Sequence, residues 1–354
     1  MKPLRLALVG FGWFAELLVT RVFGQLDEVI VVAVVDPSPA RRARARELGL
    51  VAAESVEELP RDCEAVAVLT PHSSHRAIVE DAAALGLHVF CEKAFAVTSV
   101  DCLAMIEACR MAGVVLAVGH MQKLFPTHSR AIDLVRSGRY GEVVAVQVSG
   151  WHWCPVMPGW WRTIADCGGL LYWTGIHDLD TMRAIAQSEV ATAYAVTGRA
   201  TDDYTEYEDS IAATLVFENG VIGTVQVAEH DPLRTFEESF QISILLRHGS
   251  IRIDPAEGTV THAARHGLEP GEPVVERLGS FESLEEHAYL REFREFAADV
   301  REGRLSTTAI DGLRTVETLE AIYDSVSRGE VVTIELHLVS TSPDNGDRHE
   351  QSDH

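Results

Sequence analysis

The stretch RLALVGFGWFAELLVTRVFGQLDEVIVVAVVD, residues 5–36, decides the fold. An apolar run at 6–9 ends in the turn Gly10-Phe11-Gly12-Trp13-Phe14-Ala15. A helical segment follows, and a second apolar run at 29–35 ends at Asp36. The order is strand, tight turn, helix, strand, acid, and each part meets one piece of a dinucleotide. Gly10 permits the sharp turn out of the strand. Gly12 has no side chain, so a pyrophosphate can approach the main chain, and Ala15 lets the helix lie close to the sheet. The helix N-terminus offers N–H groups and a positive dipole end to the phosphates. Asp36 is placed to accept hydrogen bonds from the adenosine ribose hydroxyls. Two blander readings compete: a tight turn without a ligand, and a signal peptide, since Lys2 and Arg5 precede apolar residues. Glu16 interrupts that stretch and no small-residue cleavage site follows, which argues against the second.

Outward from this stretch, Pro37-Ser38-Pro39 opens a helix at 40–48 carrying Arg41, Arg42, Arg44 and Arg46. Arginines near a ribose-binding acid raise the 2'-phosphate of NADP. Asp36 would repel that phosphate, so NAD is the expected cofactor and NADP the alternative. The arginines read as a solvated helix face. An apolar strand at 65–69 leads into Thr70-Pro71-His72-Ser73-Ser74-His75, at the carboxyl edge of a parallel sheet, where ligands bind. A helix at 74–85, a strand at 88–91 running into Glu92-Lys93-Ala94, a helix at 99–111 and a strand at 114–118 follow. This alternation predicts a doubly wound parallel sheet of Rossmann type over residues 1–122.

The pattern then changes. Helices are expected at 127–136, 179–186, 286–302 and 310–328, and strands at 143–148, 191–198, 209–217, 221–229 and 331–336. Asn219-Gly220 marks one hairpin, and His248-Gly249 another between 241–247 and 250–254. The prediction is an α/β chain whose second domain, 123–337, is α+β with an open, mainly antiparallel sheet. Residues 338–354 read as a disordered tail.

The bulk properties agree. A chain of 354 residues exceeds one compact core. The longest uncharged window, 143–161, contains Gly, Pro, Ser, His and Gln and is a poor membrane span. Six cysteines without CxxC spacing predict reduced thiols and a cytoplasmic location. His152 and Cys154 are too few for a metal site, and none is expected. The net charge of −23 disfavours nucleic acid and acidic membranes, whose phosphates would be repelled.

The motifs GFGWFA with Asp36, TPHSSH, Cys91-Glu92-Lys93, Gly119-His120, Gly168-Gly169 and Gly175-Ile176-His177-Asp178-Leu179-Asp180 occur in this order. Glu292-Phe293, Glu302-Gly303-Arg304, Asp311-Gly312-Leu313 and Ala321-Ile322-Tyr323-Asp324-Ser325 close the pattern. Over residues 4–337 the chain resembles the glucose–fructose oxidoreductase and inositol dehydrogenase family (Gfo/Idh/MocA). The resemblance implies NAD(P)-linked oxidation or reduction of a small cyclic alcohol or ketone, and a homodimer or homotetramer formed through the open sheet. It implies cofactor contacts from Gly10, Gly12, Trp13, Phe14, Ala15, Asp36, Thr70, Pro71, His75, Glu92 and Lys93. Lys93 matches the lysine that contacts the substrate hydroxyl, and His177 the acid/base histidine. Moving a hydride from an alcohol carbon requires removal of the hydroxyl proton. A neutral imidazole can take it, and a lysine ammonium can stabilise the alkoxide. Trp161-Arg162 matches an aromatic–arginine pair beside the substrate.

Two departures from the family pattern stand out. Trp173 occupies the position of an aspartate that binds substrate hydroxyls and supports the histidine. Asp180, Asp178 or Tyr172 is the expected substitute for orienting His177. Ala94 replaces the proline of the family's Glu-Lys-Pro motif. A cis bond to a non-proline residue costs about 2.5–4 kcal/mol, so a trans Lys93–Ala94 bond is expected. Five of the six tryptophans, 151, 153, 160, 161 and 173, fall in one segment. Their ring faces suit a sugar, inositol, aminocyclitol or dihydrodiol. The competing functions are a non-catalytic dinucleotide-sensing regulator of the same fold and a reductase of C=C or C=N bonds.

Overall fold

The computed structural model describes residues 2–153, 159–201, 205–233, 240–304 and 308–339. Cys154 and residues 340–354 of the expected tail lie outside the described residues. The first part runs β1 (Leu4–Val9), α1 (Trp13–Leu17), β2 (Val29–Val35), α2 (Pro39–Glu47), β3 (Val51–Ala53), β4 (Ala65–Val68), α3 (His75–Ala84), β5 (His88–Glu92), α4 (Ser99–Ala112) and β6 (Leu116–Gly119). The six strands are parallel, in the order β3-β2-β1-β4-β5-β6. Helices cover both faces, so the central strands are buried on both sides and read as unbroken apolar runs. Edge strand β3, only three residues long, left no mark in the hydrophobic pattern.

Helix α1 is shorter than the sequence suggests. After Leu17 the chain widens into a π turn, Leu18–Val22. The Thr20 hydroxyl donates to the carbonyls of Glu16 (2.8 Å) and Leu17 (3.2 Å), competing with the regular helical bonds there. Helix α4 is capped as its sequence implies. The Thr98 side chain accepts the Asp101 N–H, and Gly113 ends the helix at φ 68°.

The second part runs α5 (Pro126–Arg136), β7 (Val143–His152), α6 (Ile164–Cys167), α7 (Ile176–Ala186), β8 (Val190–Gly198), β9 (Ser210–Phe217), β10 (Ile222–Glu229), β11 (Phe240–Leu246), β12 (Gly249–Asp254), β13 (Thr259–His266), β14 (Glu269–Pro270), β15 (Val274–Arg277), α8 (Phe281–Glu302), α9 (Thr308–Arg328) and β16 (Val332–Thr333). The sheet order is β14-β13-β12-β11-β7-β10-β9-β8-β16, with β15 on β13. All its pairs are antiparallel except β7–β10. Strands β13 to β15 extend the sheet beyond the expected hairpin. The inner face packs on α5, α7 and α9, while the outer face exposes Tyr194, Val216, Ile222 and Leu245.

The two sheets are tied by the C-terminal helices. Helix α8 returns to the first sheet, where the Phe293 ring sits 4.7 Å from both Phe23 and Phe90. Helix α9 packs against α4, β6 and β8, touching both sheets. No described helix is long and apolar enough to cross a membrane. Phe293→Ala would empty the space between these rings. It is expected to cost about 3–5 kcal/mol of stability, read as a lower urea midpoint.

Candidate active site

The glycine turn is built by main-chain bonds around one carboxylate. Gly10 takes φ 90°, and a Cβ there would lie 2.7 Å from Thr70 Cγ2 and 2.8 Å from the Leu69 oxygen. Only glycine fits, because the ends of β1 and β4 press together at this point. Asp36 is buried at the end of β2. Its Oδ2 accepts the Phe11 N–H and its Oδ1 the Ser38 N–H, both at 2.8 Å. The acid therefore holds the turn in shape, and each oxygen retains a lone pair for a ribose hydroxyl. Ala15 is fully buried, Trp13 is exposed, and Phe14 packs at 5.6 Å against Tyr289 of α8.

Of the arginines after Asp36, Arg41, Arg44 and Arg46 are exposed, as a solvated face requires, and two of them, Arg41 and Arg44, also have partners at the turn. Arg42 is largely buried and donates to the Asp36 and Pro37 carbonyls, both at 2.8 Å. Arg44 pairs with Glu16 on α1 at 2.6 Å. Arg41 Nη1 lies 3.8 Å from Asp36 Oδ2, and a Cβ on Gly12 would come within 3.3 Å of it. Three of the four arginines thus brace or line the dinucleotide turn. These partners lie across turns of the fold, where helix periodicity carries no signal.

The next edge comes from β4. Thr70 accepts a hydrogen bond from the Ser74 hydroxyl at 2.8 Å, and Pro71 is part-exposed beside it. His75, expected at the cofactor, is fully buried instead. Its Nδ1 faces the Phe95 carbonyl at 3.1 Å and its Nε2 the Thr70 carbonyl at 2.9 Å. It braces two loops: burial favours the neutral ring, whose one N–H can donate to one of these carbonyls, and the Cys91 thiol lies 3.3 Å from Nδ1. His72 does similar work: Nδ1 lies 2.9 Å from the Cys167 oxygen, and its ring meets Trp160 edge-on at 4.9 Å. Burial pulls its pKa down to about 3, so it is neutral.

Strand β5 delivers Glu92 and Lys93. Glu92 Oε2 accepts the Lys93 N–H at 2.8 Å, and burial pushes its carboxyl up to about 7. The Lys93–Ala94 bond is cis, contrary to the trans expectation, and Ala94 is fully buried. Lys93 Nζ donates to the Trp173 carbonyl at 2.7 Å and lies 5.7 Å from the centre of the Trp173 ring. Burial holds its pKa below the usual lysine value, against the charges of Glu92, Cys167 and Asp178.

His177 lies in the first turn of α7, which follows the π turn Leu171–Gly175. Burial holds its pKa well below the usual value, and the neighbouring Lys93, His120 and His128 oppose its cation further. Its ring meets that of His120 at 6.4 Å and 87°. None of the three expected substitutes is hydrogen-bonded to it. Asp180 pairs with Lys123 at 3.2 Å and Arg183 at 3.5 Å, and Lys123 also pairs with Asp311 at 2.9 Å. Tyr172 donates to the Val97 carbonyl at 2.9 Å. Asp178 is fully buried, accepts from Gln122 at 3.3 Å, and is pushed by burial to about 7.

Three of the five clustered tryptophans form a wall, while Trp151 and Trp153 are exposed at the end of β7. Trp160 stacks on Trp161 at 4.6 Å, and Trp161 meets Trp173 edge-on at 5.9 Å. Arg162 is exposed, and its carbonyl accepts the Glu206 N–H at 2.9 Å. Sequence reasoning missed Glu229, which accepts the Trp173 indole N–H at 2.5 Å. The signal was available. In IGTVQVAE, residues 222–229, alternate positions face inward, and the last of them is a glutamate among apolar residues and glycine.

No group of three or more potential metal ligands occurs among the described residues. The dinucleotide turn, by contrast, fits its expected ligand: a buried carboxylate, a bare Gly12 and an exposed Trp13 share one edge of the parallel sheet.

Comparison with known proteins agrees with this geometry. Residues 4–120 match the model of an oxidoreductase family with an NAD-binding Rossmann fold, and residues 128–252 match the GFO/IDH/MocA C-terminal domain. A 1,5-anhydro-D-fructose reductase of Ensifer adhaerens is 29% identical over 80% of this chain and 84% of its own. A 2,7-anhydro-N-acetylneuraminate hydratase of Escherichia coli K12 is 31% identical over 71% of this chain and 67% of its own. The structure of GenD2 from gentamicin A biosynthesis, in complex with NAD, superposes with a TM-score of 0.82 at 25% identity, covering 95% of this chain and 97% of that one. The chain belongs to the GFO/IDH/MocA family of oxidoreductases, with an NAD-binding Rossmann fold.

Proposed function

We propose that the protein is a dehydrogenase or reductase acting on a ring carbon that bears a hydroxyl or keto group. The substrate class is a sugar, inositol, aminocyclitol or dihydrodiol. One observation carries this reading: Lys93 Nζ is held at 2.7 Å on the carbonyl of Trp173, in the turn that leads directly into the helix bearing His177, and burial holds both side chains below their usual pKa values. NAD, when bound, supplies the hydride acceptor. Gly10, Gly12, Trp13, Phe14, Ala15, Asp36, Thr70, Pro71 and Glu92 hold it against the sheet edge. His177, neutral at physiological pH, accepts the hydroxyl proton. Lys93, fixed by the Trp173 carbonyl, donates to the same oxygen and offsets its developing charge. Trp161, Trp173 and Arg162 border the ring. Residues 1–122 serve the cofactor and 123–337 the substrate. The exposed apolar face around Tyr194, Val216, Ile222 and Leu245 is where copies meet as a dimer or tetramer.

Lys93→Ala and His177→Asn are each expected to lower kcat by about 10²- to 10⁴-fold, with NADH binding unchanged in His177→Asn and weakened in Lys93→Ala, which also loses a cofactor contact. The readout is NADH formation from inositols, aldoses and their amino derivatives. Wild-type rates in the double variant would sink the assignment. Because the His177 pKa is depressed, the neutral base persists as pH falls. The acid limb of kcat/KM should therefore lie below the ordinary imidazole value of about 6.5. Asp36→Ala removes both turn-holding acceptors and the charge that repels a 2'-phosphate. The NADPH/NADH affinity ratio, read by energy transfer from tryptophan, should rise by about tenfold or more, equivalent to about 1.4 kcal/mol.

A further inference from the structure

We propose that His120 positions His177: a water bound between the two rings accepts the His177 Nδ1–H, donates to His120, and leaves His177 Nε2 as the base. The inference rests on the dehydrogenase reading above. It supplies from β6 the support for the histidine that an aspartate at position 173 would give.

Three observations point to His120. First, His177 is part-exposed, yet its Nδ1 is enclosed and finds no hydrogen-bond partner in the protein, whereas Nε2 is not enclosed in this way. Second, His120 is 2% exposed, and both of its ring nitrogens are likewise enclosed without a partner. Its ring stands 6.4 Å from that of His177 at 87°. At that separation no rotation of the rings brings two nitrogens into direct contact, and the gap suits one bridging water. Third, the segment that carries His120 is pinned to the turn that carries His177. The His120 N–H donates to the Val118 carbonyl at 3.0 Å. Gln122 donates to Asp178 at 3.3 Å and accepts from Thr181 at 3.2 Å, both on α7. The same stretch of α7 and the residues before it hold two more enclosed atoms without partners, Thr174 Oγ1 and Asp178 Oδ2. Such atoms are rare in native folds, and their convergence beside one histidine marks a place for water.

The chemistry follows from this placement. A neutral imidazole carries one N–H and is basic only at its other nitrogen. For His177 to act as a base at Nε2, its proton must sit on Nδ1, where an enclosed donor without an acceptor is costly. A water between the rings removes that cost and selects this tautomer. Burial pulls the His120 pKa down to about 4, with Asp180 and Asp311 opposing and Lys123 and Arg183 adding to it. His120 is therefore neutral and has a bare nitrogen to offer the water. It carries no proton away, so it is a positioning residue that acts through His177.

The test labels the histidines of the full chain with nitrogen-15 and reads the ring-nitrogen resonances with and without NAD. The His177 signals are those lost in His177→Asn. The wild type should carry the His177 proton on Nδ1. His120→Leu, which fills the space without a nitrogen, should lose that preference. On the best of myo-inositol, D-glucose and D-glucosamine it should lower kcat by about tenfold, with KM within about threefold. His120→Gln, whose amide oxygen can accept from the water, should recover part of both. A His177 proton on Nε2 in the wild type would overturn the proposal, as would an unaltered tautomer or an unaltered kcat in His120→Leu. If that variant does not fold, a high-resolution crystal structure of the wild type decides, and the lack of a water between the two rings would overturn the proposal as well. Failure of the wild type to oxidise any probe would overturn the function reading, while the tautomer, read without substrate, still decides whether His120 holds the ring. NADH binding, measured in parallel for every variant, separates these outcomes from loss of the cofactor site.

Discussion

The site depends on one hydrogen bond that crosses the molecule, from Lys93 Nζ to the Trp173 carbonyl at 2.7 Å. Lys93 ends a strand of the parallel sheet, and Trp173 lies in the π turn that feeds α7 of the second part. A π turn displaces carbonyls from the regular i→i−4 ladder, and one of them is here offered to an ammonium. Neither part holds both members of the Lys93–His177 pair. Their spacing is therefore a property of how the parts dock. That docking is rigid because α8 lays Phe293 and Phe296 into the core of the first sheet and α9 touches both sheets.

Burying so much charge requires compensation, and the structure places it in a second layer. Lys123, Asp180, Arg183, Asp311 and Glu189 form a continuous ionic cluster alongside α7. Such a cluster contributes little net stability once desolvation is subtracted, but removing one member leaves a charge stranded. Its role here is to fix the helix that carries His177. The layer in front behaves differently. Glu92 and Asp178 are pushed to about 7, His177 falls well below its usual value, and Lys93 falls as well. Desolvation is the first cause for all four. The front layer favours neutral groups and the rear layer charged ones, a contrast set by whether a counter-ion sits within hydrogen-bond reach.

How much of this could be read from the sequence follows from which forces are local. Gly10 was legible because a φ of 90° and the press of Thr70 admit no other residue. The alternation of strands and helices was legible because central parallel strands bury both faces. The role expected of Asp180 was not, because Lys123, brought in from the segment before α5, joins Arg183 of the same helix in pairing with it. The surroundings of His75 were hidden for a related reason. Its burial between the Thr70 carbonyl and the Phe95 carbonyl, the latter 20 residues away, is set by the fold and leaves no mark in the local sequence. Glu229 lay in plain view, since a lone acid on the inward side of an alternating strand is a buried acid. What alternation could not say was that it would meet Trp173.

That meeting changes what the tryptophan substitution means. An aspartate at position 173 would present its acid from a helical turn whose main chain also anchors Lys93. With tryptophan there, the turn keeps its carbonyl bond to Lys93 and gains an apolar face. Glu229, which accepts the indole N–H, stands at a strand end held by the ladder of β7, β10 and β9. Strand ends fix a carboxylate more tightly than a turn does, because paired strands on either side limit its main-chain freedom. Burial holds His177 neutral without a counter-ion. Three packed indoles offer a ring few hydrogen bonds in return for those that they displace, so the polar groups beside them carry more of any recognition there.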